Sequence, residues 1–433
     1  MLQAVGWLVA IPFITTRLTA DEQGFYYTFA SLTALQVFVE LGMTGVIVQS
    51  LAHEVAHLKL EKLHKTISWT GSAKNRSRLA SVLQFTTRWF FVAGILCGLV
   101  LAAAGYYFLS NVEVKHGIPV QWAGPWLALS CAAMGSVWMS GVLSVMEGFG
   151  RMACATMIRM ISTVLSLLAL ILGLWLGAGL WAVGLQVGVV VIVALGSSIF
   201  YLRDLWKATV KEPLDHNYRW RLEIWPVQWR IALSWISGWF IFQAMTPMIL
   251  HVNGSEAAGR FGLALQLATG VQALSGVWIQ IRVPFWGMMI SRKEWLDLDR
   301  DFFWVSIMAL ATAGTTSLVV VVLLSVTASF GLPSERLPSI STLYPLLVVA
   351  ILNQWIFSMA AYLRAHRREP FLFLSVAIAV VMIVIFSMPQ IANEACLPLA
   401  YCAVTLLFGV IFGSYVWANC REKWHRTLSS GLG

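Results

Sequence analysis

Charge is scarce in this chain. Asp, Glu, Lys and Arg make up 11% of it and hydrophobic residues 59%, whereas about a quarter of a soluble domain is charged. A water-soluble globular fold is excluded. The groupings that carry common enzyme chemistry are missing too: there is no GxxxxGK[ST] phosphate cradle, no HExxH and no GxSxG elbow. Hydrolysis of ATP through a P-loop is therefore not expected. The six cysteines, Cys97, Cys131, Cys154, Cys396, Cys402 and Cys420, lie in or beside apolar runs without CxxC pairs or histidine partners. They read as small apolar residues, and no metal or tightly bound cofactor is expected. There is no large hydrophilic segment. The acids Asp21, Glu22, Glu113, Glu256, Glu335 and Glu394 are scattered singly among short gaps, which disfavours a membrane glycosyltransferase or polymerase. The first apolar run has no basic region before it and leads straight into another, so no cleavable signal is expected.

What the chain does have is twelve apolar stretches, approximately 2–16, 25–50, 89–110, 123–146, 152–174, 180–202, 231–250, 260–281, 302–330, 341–363, 370–390 and 396–418. Most reach the roughly 20 residues that cross about 30 Å of hydrocarbon. The first is only about 22 Å long at 1.5 Å per residue; either its helix continues past Thr16 or the chain begins late. The 29 Lys and Arg residues fall in every second gap and in the tail, with five exceptions. Arg17, Lys115, Arg260 and Arg336 lie in the opposite gaps, and Arg159 lies inside an apolar run. This bias places the basic face, and with it both termini, in the cytoplasm. An inner-membrane, multi-pass protein is expected. The net charge of +9 is explained by those loops, so nucleic acid is not an expected partner.

The longer basic gap after the sixth run divides the chain into a lobe over 1–202, a linker over 203–230, a second lobe over 231–418 and a tail over 419–433. The halves echo each other: Asp21-Glu22-Gln23-Gly24-Phe25-Tyr26 before the second span and Glu256-Ala257-Ala258-Gly259-Arg260-Phe261 before the eighth both read acid-x-x-Gly-x-aromatic. With six spans per half, this implies an all-α polytopic membrane protein of about 12 transmembrane helices. Its two six-helix lobes are related by a parallel pseudo-two-fold repeat.

Ionisable groups inside spans are the main functional signal, because a lone charge in hydrocarbon is costly and faces a cavity or a partner. Glu40 is too short to snorkel far. It serves either proton or cation coupling or a structural hydrogen bond to a neighbouring helix. Arg159 either binds an anionic headgroup or snorkels back. Arg88 and Arg282, at basic span ends, are candidate substrate contacts or topology anchors, and Arg17 is placed to guard the opposite mouth. Gln243, Asn353 and Gln354, with Gln49, Gln266 and Gln272, suit either hydroxyl-rich ligands or helix–helix contacts. Trp235, Trp239, Trp278 and Trp355 fall inside spans, suited to core packing or to lining a sugar cavity. Pro12, Pro247, Pro284 and Pro345 are candidate helix breaks.

These features together resemble the lipid-linked oligosaccharide flippases of the polysaccharide transporter family, in the superfamily that includes multidrug and toxin extruders. The resemblance rests on Thr16-Arg17-Leu18, on Asp21 through Tyr26, on Glu40-Leu41-Gly42-Met43, on the polar exit from Gln49 to Glu54, and on the turn Glu147-Gly148-Phe149-Gly150-Arg151. That family begins with extra residues before its first span, and often has Asp-Leu-Gly where this chain has Glu40-Leu41-Gly42. The resemblance implies movement of an undecaprenyl-diphosphate-linked oligosaccharide from the cytoplasmic to the periplasmic leaflet, for O-antigen or another surface polysaccharide. Arg159 would contact the headgroup, Glu40 would couple transport to protons or sodium, and a polysaccharide polymerase would be a partner. The rival readings are a cation-coupled multidrug antiporter of the same fold, a membrane-embedded polymerase or ligase, and a non-transporting scaffold.

Overall fold

A computed structural model describes residues 2–56, 58–63, 66–70, 72–112, 120–210, 225–329, 336–366 and 368–429. Lys115, Glu113 and Glu335, and half of the linker (211–224), lie outside the described residues. Twelve helical segments follow one another. They are α1 (Leu2–Arg17), α2 (Ala20–Glu40 continuing as Met43–Ala56), α3 (Ala73–Ser110), α4 (Ala123–Gly148), α5 (Met152–Trp175) and α6 (Trp181–Val210). After the linker come α7 (Trp225–Phe242 continuing as Met245–Asn253), α8 (Ser255–Ser275 continuing as Val277–Arg292), α9 (Trp295–Ser329), α10 (Ile340–Ala365), α11 (Phe371–Phe386) and α12 (Leu397–Ser429). Nine described helices are long and apolar enough to cross a membrane unaided, and the bent halves of α2 make a tenth. The other two, α1 and α11, have 16 residues each, about 24 Å at 1.5 Å per residue.

Several elements exceed their apolar cores. The α2 helix runs on to Ala56, α8 to Arg292 and α12 to Ser429, so most of the segment read as a tail is helix. Between α2 and α3 the basic gap is not simply a loop. It contains an antiparallel hairpin, β1 (Lys59–Leu63) and β2 (Thr66–Thr70), with Lys59 opposite Thr70. Beyond the end of the hydrocarbon, backbone groups pair with each other or with water, and a two-stranded ribbon is one way to satisfy them.

Local chemistry starts and breaks the helices. A capping box begins α2: the Thr19 hydroxyl accepts from the Glu22 amide at 3.2 Å, and the Glu22 carboxylate accepts from the Thr19 amide at 2.9 Å. The α2 break, a 42° bend, falls at Leu41 and Gly42, whose φ values of 50° and 69° belong to the left-handed region. The α8 break falls at Gly276. Of the four candidate prolines, only Pro247 adjoins a break: it lacks the amide that would bond to the carbonyl of residue 243, and α7 is interrupted between Phe242 and Met245. Pro12, Pro284 and Pro345 sit inside continuous helices.

In α3 the helix widens to a π segment over Leu101–Gly105. The Trp126 indole of α4 donates to the Leu101 carbonyl at 3.1 Å, and Gly105 makes room for its ring, which is fully buried. A widened turn frees a carbonyl that needs a donor. Trp126→Phe keeps most of the volume and removes the donor; the expected result is a loss of about 1 kcal/mol, read as a lower apparent unfolding midpoint in detergent.

Candidate functional site

The two lobes meet where α2 crosses α8. A Cβ on Gly24 would overlap the Ser255 carbonyl, a Cβ on Gly262 would overlap the Tyr27 ring, and a Cβ on Gly259 would lie 3.1 Å from the Gly24 amide. Only glycine permits this approach. Both glycines of the acid-x-x-Gly-x-aromatic echo are thus at one crossing. Hydrogen bonds lock it: the Ser255 hydroxyl donates to Asp21, and the Gln23 amide donates to the carbonyls of Gly259 (3.2 Å) and Arg336 (3.4 Å). The Arg336 guanidinium donates to the carbonyls of Thr15 and Leu18, at 2.6 Å each. Within the second lobe, Arg260 forms a two-pronged pair with Glu394 (3.0 and 2.7 Å), and the Glu394 amide donates to the Asn253 side chain at 3.0 Å. The described turns before α2 and α8, with Arg336 and Glu394, are therefore tied together at the charge-poor face. Asp21, Glu22 and Glu394, the scattered acids, are engaged in caps and pairs.

Below this crossing lies a cavity of about 290 Å³ between the lobes. Its walls are Tyr26, Tyr27 and Ser31 of α2, Gln243 and Thr246 at the α7 break, and a face of α8 that includes Gln266 and Thr269. Among the described residues, no charged side chain lines it. The Tyr26 and Tyr27 hydroxyls are buried and have no hydrogen-bond partner among the described residues. Gln243 and Gln266 are visible in the sequence as polar interruptions. The tyrosines and Thr269 are not, although Gly262, Gln266, Thr269, Gly270 and Ala273 recur at helical spacing along one face of α8.

The other expected site residues are dispersed. Glu40 is buried inside the first lobe at the α2 break, where it accepts from the Ser140 hydroxyl of α4 at 3.1 Å; one turn away, the Ser136 hydroxyl donates to Gln36 at 3.0 Å. In the second lobe the Ser275 hydroxyl, at the α8 break, donates to Gln354 of α10 at 3.0 Å. The same number of residues separates Gly24 from Gly259 as Glu40 from Ser275, so these are corresponding pairs, ionisable in one lobe and neutral in the other. Asn353 donates to the Tyr401 hydroxyl at 3.2 Å. Asn353 and Gln354 thus join helices of the second lobe and do not line the cavity between lobes.

Arg159 pairs with Glu147 across the turn from α4 to α5 and is half exposed. It also borders a cavity of about 260 Å³ in the first lobe, with Ser162, Thr163, Ser166 and Gln186. Its stem turns back to a carboxylate the sequence places in the neighbouring turn. Arg282 is taken by Asp301 of α9, which also accepts from the Trp286 indole at 2.7 Å. Arg88 and Arg17 are exposed and form no ion pair among the described residues. Of the internal tryptophans, Trp239 bridges the lobes by donating to the Ser31 carbonyl at 3.2 Å. Trp278 and Trp355 donate at 3.0 Å to Thr312 and Ser414 inside the second lobe. None of the four lines the cavity between lobes.

At the basic end of the second lobe, Asp299 accepts from Arg421 (2.9 Å) and from the Tyr362 hydroxyl (2.8 Å). His366, in the turn after α10, packs beside Trp295 and Trp424, and burial pushes its imidazole below the ordinary pKa, against a hydrogen bond to the Tyr362 carbonyl. This cluster fastens α9, α10 and α12 together and lies apart from the cavity.

The sequence matches no protein-family model and no curated relative. The fold is shared with solved transporters. An inward-facing multidrug resistance MATE family transporter of the MOP superfamily superposes with a TM-score of 0.65 at 14% identity, covering 100% of this chain and 95% of the other. An outward-facing one gives 0.55 at 16%, covering 100% and 94%. A MOP superfamily transporter from Pyrococcus furiosus, described as having a binding pocket of reverse polarity, gives 0.53 at 16% over 100% and 94%. Gly24→Val should part the crossing. In a background lacking the native cysteines, Ser255→Cys is expected to react slowly with a membrane-impermeant maleimide, and at least several-fold faster once Gly24→Val is added.

Proposed function

We propose that this protein is a transporter that moves an undecaprenyl-diphosphate-linked oligosaccharide from the cytoplasmic to the periplasmic leaflet of a bacterial inner membrane. The two lobes alternate in exposing the cavity between them. The observation that carries this reading is the lining of that cavity: within largely apolar walls, Ser31, Gln243, Thr246, Gln266 and Thr269 bring amide and hydroxyl groups from both lobes, and none of the described lining residues is charged. Such a surface exchanges hydrogen bonds with sugar hydroxyls while the lipid tail stays in the bilayer, and each sugar hydroxyl finds a donor or acceptor in place of water. A cationic drug would gain most from a carboxylate in the wall. The charge bias supports a cytoplasmic basic face, and a periplasmic polymerase is the natural consumer of the product.

Arg159, which borders the first-lobe cavity and not the one between the lobes, is the group suited to the diphosphate through its forked guanidinium, provided that Glu147 releases it or shares it and the lobe motion brings the headgroup to it. Glu40 is the coupling group: it is the buried carboxylate at the α2 break, and loss or gain of its charge alters the bond to Ser140 that holds α2 to α4. Return to the outward state requires breaking the bonds at Asp21–Ser255, Gln23–Gly259 and Arg336–Thr15. The second reading, a cation-coupled multidrug antiporter, is favoured by the names of the structural neighbours and would use the same Glu40.

Reconstituted vesicles separate the two. Protein-dependent translocation of undecaprenyl-diphosphate-linked oligosaccharide, accelerated by a proton or sodium gradient, is expected; gradient-driven extrusion of a cationic dye with no lipid translocation would establish the antiporter instead. Glu40→Gln should remove the gradient's acceleration, about tenfold or more, while leaving slow equilibration. Gln243→Ala with Gln266→Ala should weaken competition by free oligosaccharide about tenfold, for two buried hydrogen bonds lost.

A further inference from the structure

A cavity larger than the one between the lobes borders the first lobe alone. It is a crevice of about 430 Å³ between α3, α4 and α6, and it shares no lining residue with the cavity between lobes. Its walls are chiefly apolar: Phe90 and Phe91 of α3, Trp138, Val142 and Val145 of α4, and Leu195 and Ile199 of α6. The floor is rigidly built. Gly141 admits the Phe90 ring and Gly94 admits Trp138, which stacks on Phe91 with centroids 5.2 Å apart and donates to the Phe91 carbonyl at 3.3 Å. Phe91 is 53% exposed and Ile199 65%, so the crevice opens on the apolar outer surface, towards lipid.

Four polar residues break this apolar surface: Thr86 and Thr87 spend their hydroxyls on the Val82 and Leu83 carbonyls of their own helix, at 2.8 Å each, which leaves Ser198 and Arg203. Arg203 lines the crevice one helical turn beyond Ile199, at its basic end, and is exposed without an ion pair among the described residues. Ser198 lines it as well; its side chain is buried, and its hydroxyl has no hydrogen-bond partner among the described residues. A long apolar slot, a buried hydroxyl donor and a terminal guanidinium occur in the order in which a phospholipid presents its acyl chain, its ester carbonyl and its phosphate.

We propose that this crevice is a binding site for an anionic phospholipid of the basic-face leaflet, with one acyl chain on the Phe91–Trp138 floor, an ester oxygen at Ser198 and the phosphate at Arg203. The guanidinium fork matches phosphate oxygens, and anionic lipid is drawn to basic residues at a membrane surface. The site lies on the outer side of the first lobe, so its occupant arrives from the bilayer and not through the transport cavity. Gly141 follows Ser140, the partner of Glu40, on α4; a chain in the crevice therefore buttresses the helix that holds the buried carboxylate.

The test uses the purified full-length protein, titrated with phosphatidylglycerol or phosphatidylcholine and read by native mass spectrometry and by thermal unfolding. One phosphatidylglycerol is expected to be retained, raising the midpoint by about 2 °C or more, with weaker retention of phosphatidylcholine. Arg203→Gln, an exposed change, should abolish the preference between the two lipids. Val142→Trp, which fills the slot from its wall, should abolish retention of both while leaving the lipid-free midpoint unchanged. Equal retention of the two lipids by the unaltered protein would overturn the proposal, as would undiminished phosphatidylglycerol binding in the variants, or binding of undecaprenyl phosphate with none of phosphatidylglycerol.

Discussion

The close crossing of α2 and α8 is the contact on which the rest of this architecture depends. In a bilayer, lipid tails solvate apolar side chains as well as a neighbouring helix does, so helices associate where backbones can approach and polar groups can pair. Gly24, Gly259 and Gly262 provide the approach, and Asp21, Gln23 and Ser255 provide the pairing. The cavity bordered by Tyr27, Gln243 and Gln266 begins at this crossing, since Tyr27 and Gly262 belong to both. Crossing and cavity are parts of one geometry. Bonds of this kind are also reversible: each is worth about 1 kcal/mol in a membrane, so a handful can hold one state without trapping it.

The internal repeat places a break at corresponding positions of α2 and α8, with left-handed residues and a 42° bend only in α2, and it is unequal in chemistry. Both α2 and α8 break a little past halfway along their length, and the residue before each break bonds to the second helix after it, Glu40 to Ser140 and Ser275 to Gln354. One pair can change charge and the other cannot. In the proposed coupling one titrating lobe suffices, and the neutral counterpart holds its helices without sensitivity to protons. The surrounding cations follow a similar economy. Arg260, Arg282, Arg336 and Arg421 each have an internal acceptor, so the fold retains them without presenting them to a ligand.

Much of the architecture was legible in the residues alone. Hydrophobic run length follows directly from bilayer thickness, and the Lys and Arg bias follows from which loops cross the membrane; neither depends on how helices pack. The twelve spans and the echo of Asp21–Tyr26 in Glu256–Phe261 were accessible for that reason. The sites were less so. Asn353 and Gln354 look like ligand groups by composition, yet each satisfies a neighbour inside the second lobe. Arg159 stands alone in its span but finds Glu147 in the preceding turn.

By itself, the sequence determined that the chain lives in a membrane, crosses it about twelve times, repeats once and carries one carboxylate deep in a span. These are properties of composition and period, set by the solvent and by distances along the chain. The tertiary structure decided that Tyr26, Tyr27, Gln243 and Gln266 share a wall, that the echoed glycines touch, and that Arg203 caps a crevice formed by three helices. Those depend on which helix faces which and at what rotation, and a one-residue rotation of about 100° on any of them would give a different set of neighbours.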